Sequence, residues 1–192
     1  IPADADDATQ GHWEKGPGID LFRAISARLG DREIIAEDLA YMTDSVKQLV
    51  EESGYPNMKV IEFAFDERDT GNASDYLPHN YPRNCVVYTG THDNETIVGY
   101  FRDKTDYELA YLYEYLNIKY KEEIPDALIR AAYASIADVV IIQMQDLMKL
   151  GNEARMNAPS TVGRNWRWRI GTDELSEERR AWIRTLASVY HR

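Results

Sequence analysis

The sequence predicts an α/β fold of parallel βα units, specifically the latter half of a (β/α)8 barrel with helical insertions. Short apolar runs alternate with segments of helical periodicity along the chain, and parallel strands require such crossovers. Three strand-end carboxylates, Glu37, Asp66 and Asp93, are spaced by 29 and 27 residues, a comfortable length for one strand, loop and helix. Each sits at a strand's C-terminal end, the edge where barrels and open α/β sheets place their chemistry. An open sheet usually adds a glycine-rich phosphate turn after its first strand. Glu37-Asp38-Leu39-Ala40 contains no glycine, so the barrel is favoured.

Residues 1 to 18, rich in Asp, Ala, Gly and Pro, show no periodicity and read as a loop. A helix follows over Leu21 to Leu29, with Asp20 as its cap, Leu21, Ile25 and Leu29 on one face, and Gly30 as the stop. Glu33 to Ala36 reads as a first buried strand. Thr43 or Asp44 opens a second helix that Gly54 closes, and Met58 to Phe65 (MKVIEFAF) forms the second strand. After a polar loop, Cys85 to Thr89 is the third strand. Asp103 to Lys121 has helical spacing through Leu109, Leu112, Tyr113 and Leu116, and Pro125 starts a further helix in its favoured first turn. Val139 to Met144 is the fourth apolar run, ending in Gln145 and Asp146. Beyond the irregular stretch Lys149 to Arg169, Ser176 caps a last helix whose apolar face is Trp182, Ile183, Leu186 and Val189. Four βα units make half a barrel.

Composition narrows the function. The 192 residues carry 22 Lys and Arg against 33 Asp and Glu, a net charge of −11. That balance argues against a nucleic-acid partner, which needs a basic face. No apolar run approaches the length of a membrane span, and no signal peptide opens the chain. The single cysteine, Cys85, excludes an intrachain disulfide and fits a reducing cytoplasm; it reads as a core residue. The chain begins at Ile1 without an initiator Met, as a processed product or a piece of something longer would.

Taken singly, Glu37 and Asp38 fit an exposed acidic turn as well as they fit chemistry, and Thr91-His92-Asp93-Asn94 fits a polar turn capping a helix near Glu95. Their combination favours chemistry. Carboxylates gathered in one barrel mouth raise each other's pKa and make one a general acid at neutral pH, the arrangement that cleaves glycosidic bonds. They suit a neutral sugar and repel a phosphorylated one. The four histidines show no zinc spacing, and the Asp4, Asp6, Asp7 cluster lacks the other marks of a calcium loop. Gly16-Pro17-Gly18 reads as a shaped turn. Trp166 and Trp168, flanking Arg167, fit a sugar-stacking platform and helix packing equally well.

Several stretches resemble the signatures of the 4-α-glucanotransferases, the amylomaltases of glycoside hydrolase family 77 in the α-amylase clan. They are Ile34 to Leu39 (IIAEDL), Tyr76 to Pro82 (YLPHNYP), Val87 to Thr96 (VYTGTHDNET), Trp13 with Lys15 to Gly18, Gln145-Asp146, Glu153 to Asn157 and Asn165 to Arg169. The resemblance runs in order over essentially the whole chain. It implies a retaining transglycosylase that moves α-1,4-glucan segments onto the 4-hydroxyl of an acceptor glucan or glucose. Glu37 then matches the general acid/base, and Asp93 matches the carboxylate that holds sugar hydroxyls and stabilises positive charge. His92, Asp66 and Asn157 match substrate contacts. No metal or organic cofactor is implied, and the partners are maltooligosaccharides.

The chain departs from the family pattern in two places. Ala40 replaces the usual glycine after Glu-Asp-Leu, and the family's Arg-x-Asp-His-Phe-Arg-Gly stretch with its nucleophilic Asp is absent. Residues 1 to 192 are therefore expected to be the C-terminal part of a single catalytic barrel domain, inactive alone and, with exposed sheet edges, prone to self-association. Alternative readings are an α-glucan hydrolase of the same clan and a non-catalytic glucan-binding or assembly fragment.

Overall fold

The computed structural model describes residues 1–39, 42–65 and 73–192. It divides into two compact units, Ile1–Tyr55 and Pro56–Arg192. The predictions for Ala40 and Asp66 lie outside the described residues.

The first unit carries two helices, α1 (Ile19–Leu29) and α2 (Asp44–Ser53). Gly18, not Asp20, occupies the N-cap of α1. Its φ of 56° is a conformation that glycine adopts without penalty, so the helix starts before Asp20, which pairs with Arg23 at 3.0 Å in the first turn. Thr43 caps α2 by accepting from the Val46 N–H at 3.4 Å, and Gly54 ends it in the left-handed region at φ 68°. The expected strand Glu33 to Ala36 does not form; only Ala36 carries an isolated β-bridge. Two adjacent isoleucines favour extension, but a strand also needs a neighbour to complete its ladder. Every buried apolar residue among those described belongs to the second unit.

The second unit is built on three parallel strands in the order β1 (Asn57–Val60), β2 (Cys85–Tyr88) and β3 (Val139–Ile141). Alternation along each strand separates two faces. Cys85 and Val87 join the main apolar cluster, with Val140 packed against it. That cluster is completed by α3 (Ile97–Phe101), α4 (Ala110–Leu116), α5 (Ile124–Ala134) and α7 (Glu177–Tyr190), through Ile97, Phe101, Leu112, Leu128, Ile129 and Leu186. Each such fully buried side chain contributes about 1.5–3 kcal/mol relative to exposure. The opposite face aligns Met58 with Val86 and Val139, and Val60 with Tyr88 and Ile141. There Val139 and Ile141 remain 44% and 41% exposed.

Three sequence expectations are corrected in this unit. The MKVIEFAF run is a strand only to Val60. Ile61–Phe65 then turns as a 3-10 helix, in which Ile61 and Ala64 lie one above the other and join the apolar cluster with Phe65, while Glu62 is buried as well. The long helix expected over Asp103 to Lys121 shrinks to α4. Thr105 and Glu108 satisfy each other before it, with Glu108 accepting from the Thr105 hydroxyl at 2.6 Å, and Asn117 ends it at φ 52°. In α7, capped by Ser176 as expected, Leu186 is buried but Val189 is 57% exposed. The helix packs chiefly on α5, and a single neighbour buries only a narrow stripe. Pro125 does occupy the first turn of α5.

A short helix, α6 (Met144–Leu147), follows β3 and turns the chain toward the segment that carries Asn157. Close packing here is tight enough to test. A Cβ on Gly99 would run into the Asn152 carboxamide, which accepts from the Thr96 N–H at 3.4 Å and donates to Glu95. In a full-length protein carrying this chain, Gly99→Ala is expected to cost about 1–3 kcal/mol, read as a lower denaturant midpoint with an unchanged slope.

Candidate active site

The turn after β2 places His92 and Asp93 in solvent beyond the sheet's C-terminal edge. Its shape is local: Asn94 Oδ1 reaches back three residues to accept from the Thr91 N–H at 2.8 Å and the Thr91 hydroxyl at 2.7 Å. At Gly90, a Cβ would come within 2.8 Å of Gln143 Nε2 and 3.3 Å of the Glu95 carbonyl oxygen, so a side chain there would displace the Gln143 carboxamide. Thr96 then caps α3, accepting from the Gly99 N–H at 3.1 Å.

A second segment meets this turn. Asn157 Nδ2 donates to Asp93 Oδ1 at 2.7 Å, and the Asn157 N–H donates to the His92 carbonyl at 3.1 Å. His92 Nε2 lies 3.3 Å from the same Asp93 oxygen. Arg155 Nη2 donates to the Asp93 carbonyl at 2.6 Å and Nε to the Asn157 carbonyl at 2.8 Å. The Trp166 ring rests 5.0 Å from the His92 ring, centroid to centroid, while the Trp166 backbone N–H donates to the Met156 carbonyl at 2.7 Å. Trp166 holds a φ of 64°, an expensive conformation for a bulky residue, and its indole is half exposed. Trp168 instead lines a 600 Å³ cavity with Arg155, Arg164 and Arg167.

The structure thus brings three of the sequence-predicted residues, His92, Asp93 and Asn157, into one polar cluster. Glu37 is exposed in the irregular segment of the first unit, and Asp66 lies outside the described residues. Sequence reasoning missed Arg155 as a functional residue, although it stood inside the matched Glu153 to Asn157 stretch. Gln145-Asp146, also a matched stretch, carried no assigned role in the sequence, yet both lie buried beneath the cluster. Asp146 is fully buried, accepting from the Thr89 hydroxyl at 2.6 Å and the Ile97 N–H at 2.8 Å. Neighbouring Gln145 donates to the Ala154 carbonyl at 3.0 Å.

Burial pushes the Asp146 carboxyl up to about 6, against the pull of its two hydrogen-bond donors. An acid whose pKa is higher folded than unfolded binds more protons in the folded state between the two values. Its stabilising contribution is then full below about pH 4 and is lost as pH rises through 6. Asp146→Asn cannot ionise, so its stability relative to the unsubstituted protein should improve by up to roughly 3 kcal/mol between pH 4 and pH 7. Chemical unfolding of both proteins across that range checks this; parallel curves would contradict it.

A parallel sheet with carboxylate, imidazole, amide and guanidinium groups gathered beyond its strand ends has the layout of an α/β enzyme site. Among the described residues, no three His, Cys, Asp or Glu side chains are grouped to hold a metal ion, and no helix is long and apolar enough to cross a membrane. The comparisons specify the family. The sequence profile of the 4-alpha-glucanotransferases, glycoside hydrolase family 77, matches residues 1–174, and the chain belongs to that family. It is 44% identical to the 4-alpha-glucanotransferase of Streptococcus pneumoniae and 41% identical to that of Thermus thermophilus, matching over its whole length in both cases. It spans 38% and 39% of those relatives. A chloroplastic/amyloplastic relative from Arabidopsis thaliana is 42% identical. An amylomaltase from Streptococcus agalactiae, solved in complex with acarbose, superposes with a TM-score of 0.89 at 40% identity, over 99% of this chain and 38% of the other.

Proposed function

We propose that this chain is the C-terminal part of the (β/α)8 catalytic barrel of a retaining 4-α-glucanotransferase, acting on α-1,4-glucans in the cytoplasm. In this reading Glu37 protonates the glycosidic oxygen and then takes the proton of the acceptor 4-hydroxyl. Asp93 holds sugar hydroxyls and stabilises the oxocarbenium-like charge, with His92, Asn157 and Asp66 as sugar contacts. The nucleophilic carboxylate comes from chain outside these 192 residues, so this segment alone forms no covalent glycosyl intermediate. The barrel reading draws support from the parallel β1-β2-β3 order and from the apolar face left open at Val139 and Ile141.

The observation that carries the proposal is the convergence of Asn157 and His92 on the Asp93 carboxylate just beyond a parallel strand. The charge and amide donors there match the hydroxyls of a neutral sugar. Incubating the full-length protein with maltotriose should release glucose and build longer maltodextrins with no net gain of reducing ends. Failure to lengthen any chain would sink the transferase reading, whereas a steady gain of reducing ends would point to a hydrolase.

A further inference from the structure

We propose that Gln145 and Asp146 are positioning residues, a buried clamp that sets the separation between the His92–Asp93 turn and the Arg155–Asn157 segment. The inference rests on the reading of Asp93 as a sugar-contacting carboxylate and extends it to residues that touch no substrate.

The geometry is specific. Asp146 uses one carboxylate oxygen for Thr89 and the other for Ile97. Those residues are the two feet of the excursion Gly90 to Thr96, which carries His92 and Asp93 at its tip. One side chain therefore closes the base of that loop. Gln145 holds the other wall, since its bond to the Ala154 carbonyl fixes the residue directly before Arg155. Asn152 ties the two walls together through Thr96 and Glu95. Arg155 and Asn157 then reach Asp93 from a backbone whose distance to the loop is already set.

Burial argues that the clamp does more than fill space. Five polar or charged side chains among those described are buried, and four of them, Thr89, Thr96, Gln145 and Asp146, belong to this cluster. No basic side chain pairs with Asp146 among the described residues. A buried, unpaired carboxylate is an expensive way to hold a fold, where an apolar side chain of similar volume would stabilise more. What it supplies is direction: two short hydrogen bonds at fixed angles, which an apolar contact cannot provide. A displacement of about 1 Å at reacting groups costs up to roughly a hundredfold in rate, so rigidity at the loop base is worth that cost.

The test uses the full-length enzyme, acarbose binding by calorimetry and maltotriose disproportionation. Thr89→Val removes the hydroxyl at nearly constant shape, Thr89→Ser restores it, and Asp146→Asn keeps one acceptor while removing the charge. Thr89→Val and Asp146→Asn are expected to weaken acarbose binding and lower kcat/KM by about tenfold, with Thr89→Ser within about twofold of the unsubstituted enzyme. In an Asp93→Asn background, where the positioned charge is gone while His92 and Asn157 remain, both substitutions should weaken acarbose binding by no more than about threefold, clearly less than in the Asp93 enzyme. Losses that simply multiply in that background would overturn the clamp, because a general structural role does not depend on Asp93. If Asp93→Asn by itself leaves binding and transfer intact, the underlying reading of Asp93 fails and the clamp fails with it. Should Asp146→Asn fold poorly, the Thr89 pair decides the matter alone.

Discussion

Glu37→Gln in the full-length enzyme is expected to lower kcat for maltotriose disproportionation by at least about 10²-fold with little change in KM. The amide matches the carboxyl in size and can still accept a hydrogen bond, but it can neither give a proton to the leaving oxygen nor take one from the acceptor. Positioned proton transfer contributes roughly 10²–10⁴-fold, and all of it is lost. The loss should depend on the leaving group. With an α-glucosyl fluoride donor, whose departing fluoride needs little protonation, the first half-reaction should recover most of its rate while transfer to the acceptor stays slow. Near-normal turnover on maltotriose would remove Glu37 from the mechanism, and equal losses on both donors would reassign it to binding.

Asp93→Asn should be nearly as damaging, by about 10²–10³-fold in kcat, the range found when a preorganised electrostatic partner of a transition state is removed. The substitution isolates charge. Asn keeps an oxygen where Oδ1 now accepts from Asn157 at 2.7 Å, and Arg155 holds the backbone carbonyl, which does not change. The turn should therefore persist, with only the negative charge gone. A larger fall in kcat than rise in KM identifies a transition-state role. Asn157→Ala, which removes a neutral donor from the same carboxylate, should cost about tenfold. If Asp93→Asn kept kcat within threefold, the carboxylate would be a structural acceptor for Asn157 and no more.

Much of this was legible in the sequence because the signals are local. Thr43 and Ser176 cap helices through their own neighbours, Pro125 enters a first turn, and the β2 run of Cys85, Val86 and Val87 is apolar on both faces. Where local rules competed, tertiary contacts and backbone geometry decided. Gly18 displaced Asp20 as a cap because positive φ comes free to glycine. MKVIEFAF reads as one strand, but the chain turns after Val60, where Ile61, Ala64 and Phe65 join the apolar cluster.

The sequence by itself determined the family, the parallel α/β plan and the identity of His92, Asp93 and Asn157 as candidates, since motifs and periodicities are written in neighbouring residues. Only the tertiary structure decided that those three residues meet. It also decided that Arg155 grips the same turn and that Gln145 and Asp146 lie buried beneath it. The contacts responsible join residues 57, 62 and 64 positions apart. The physical reason is that a polar side chain reads as surface in any sequence window. Its burial, and the pKa and direction that follow from it, exist only once distant segments have closed over it.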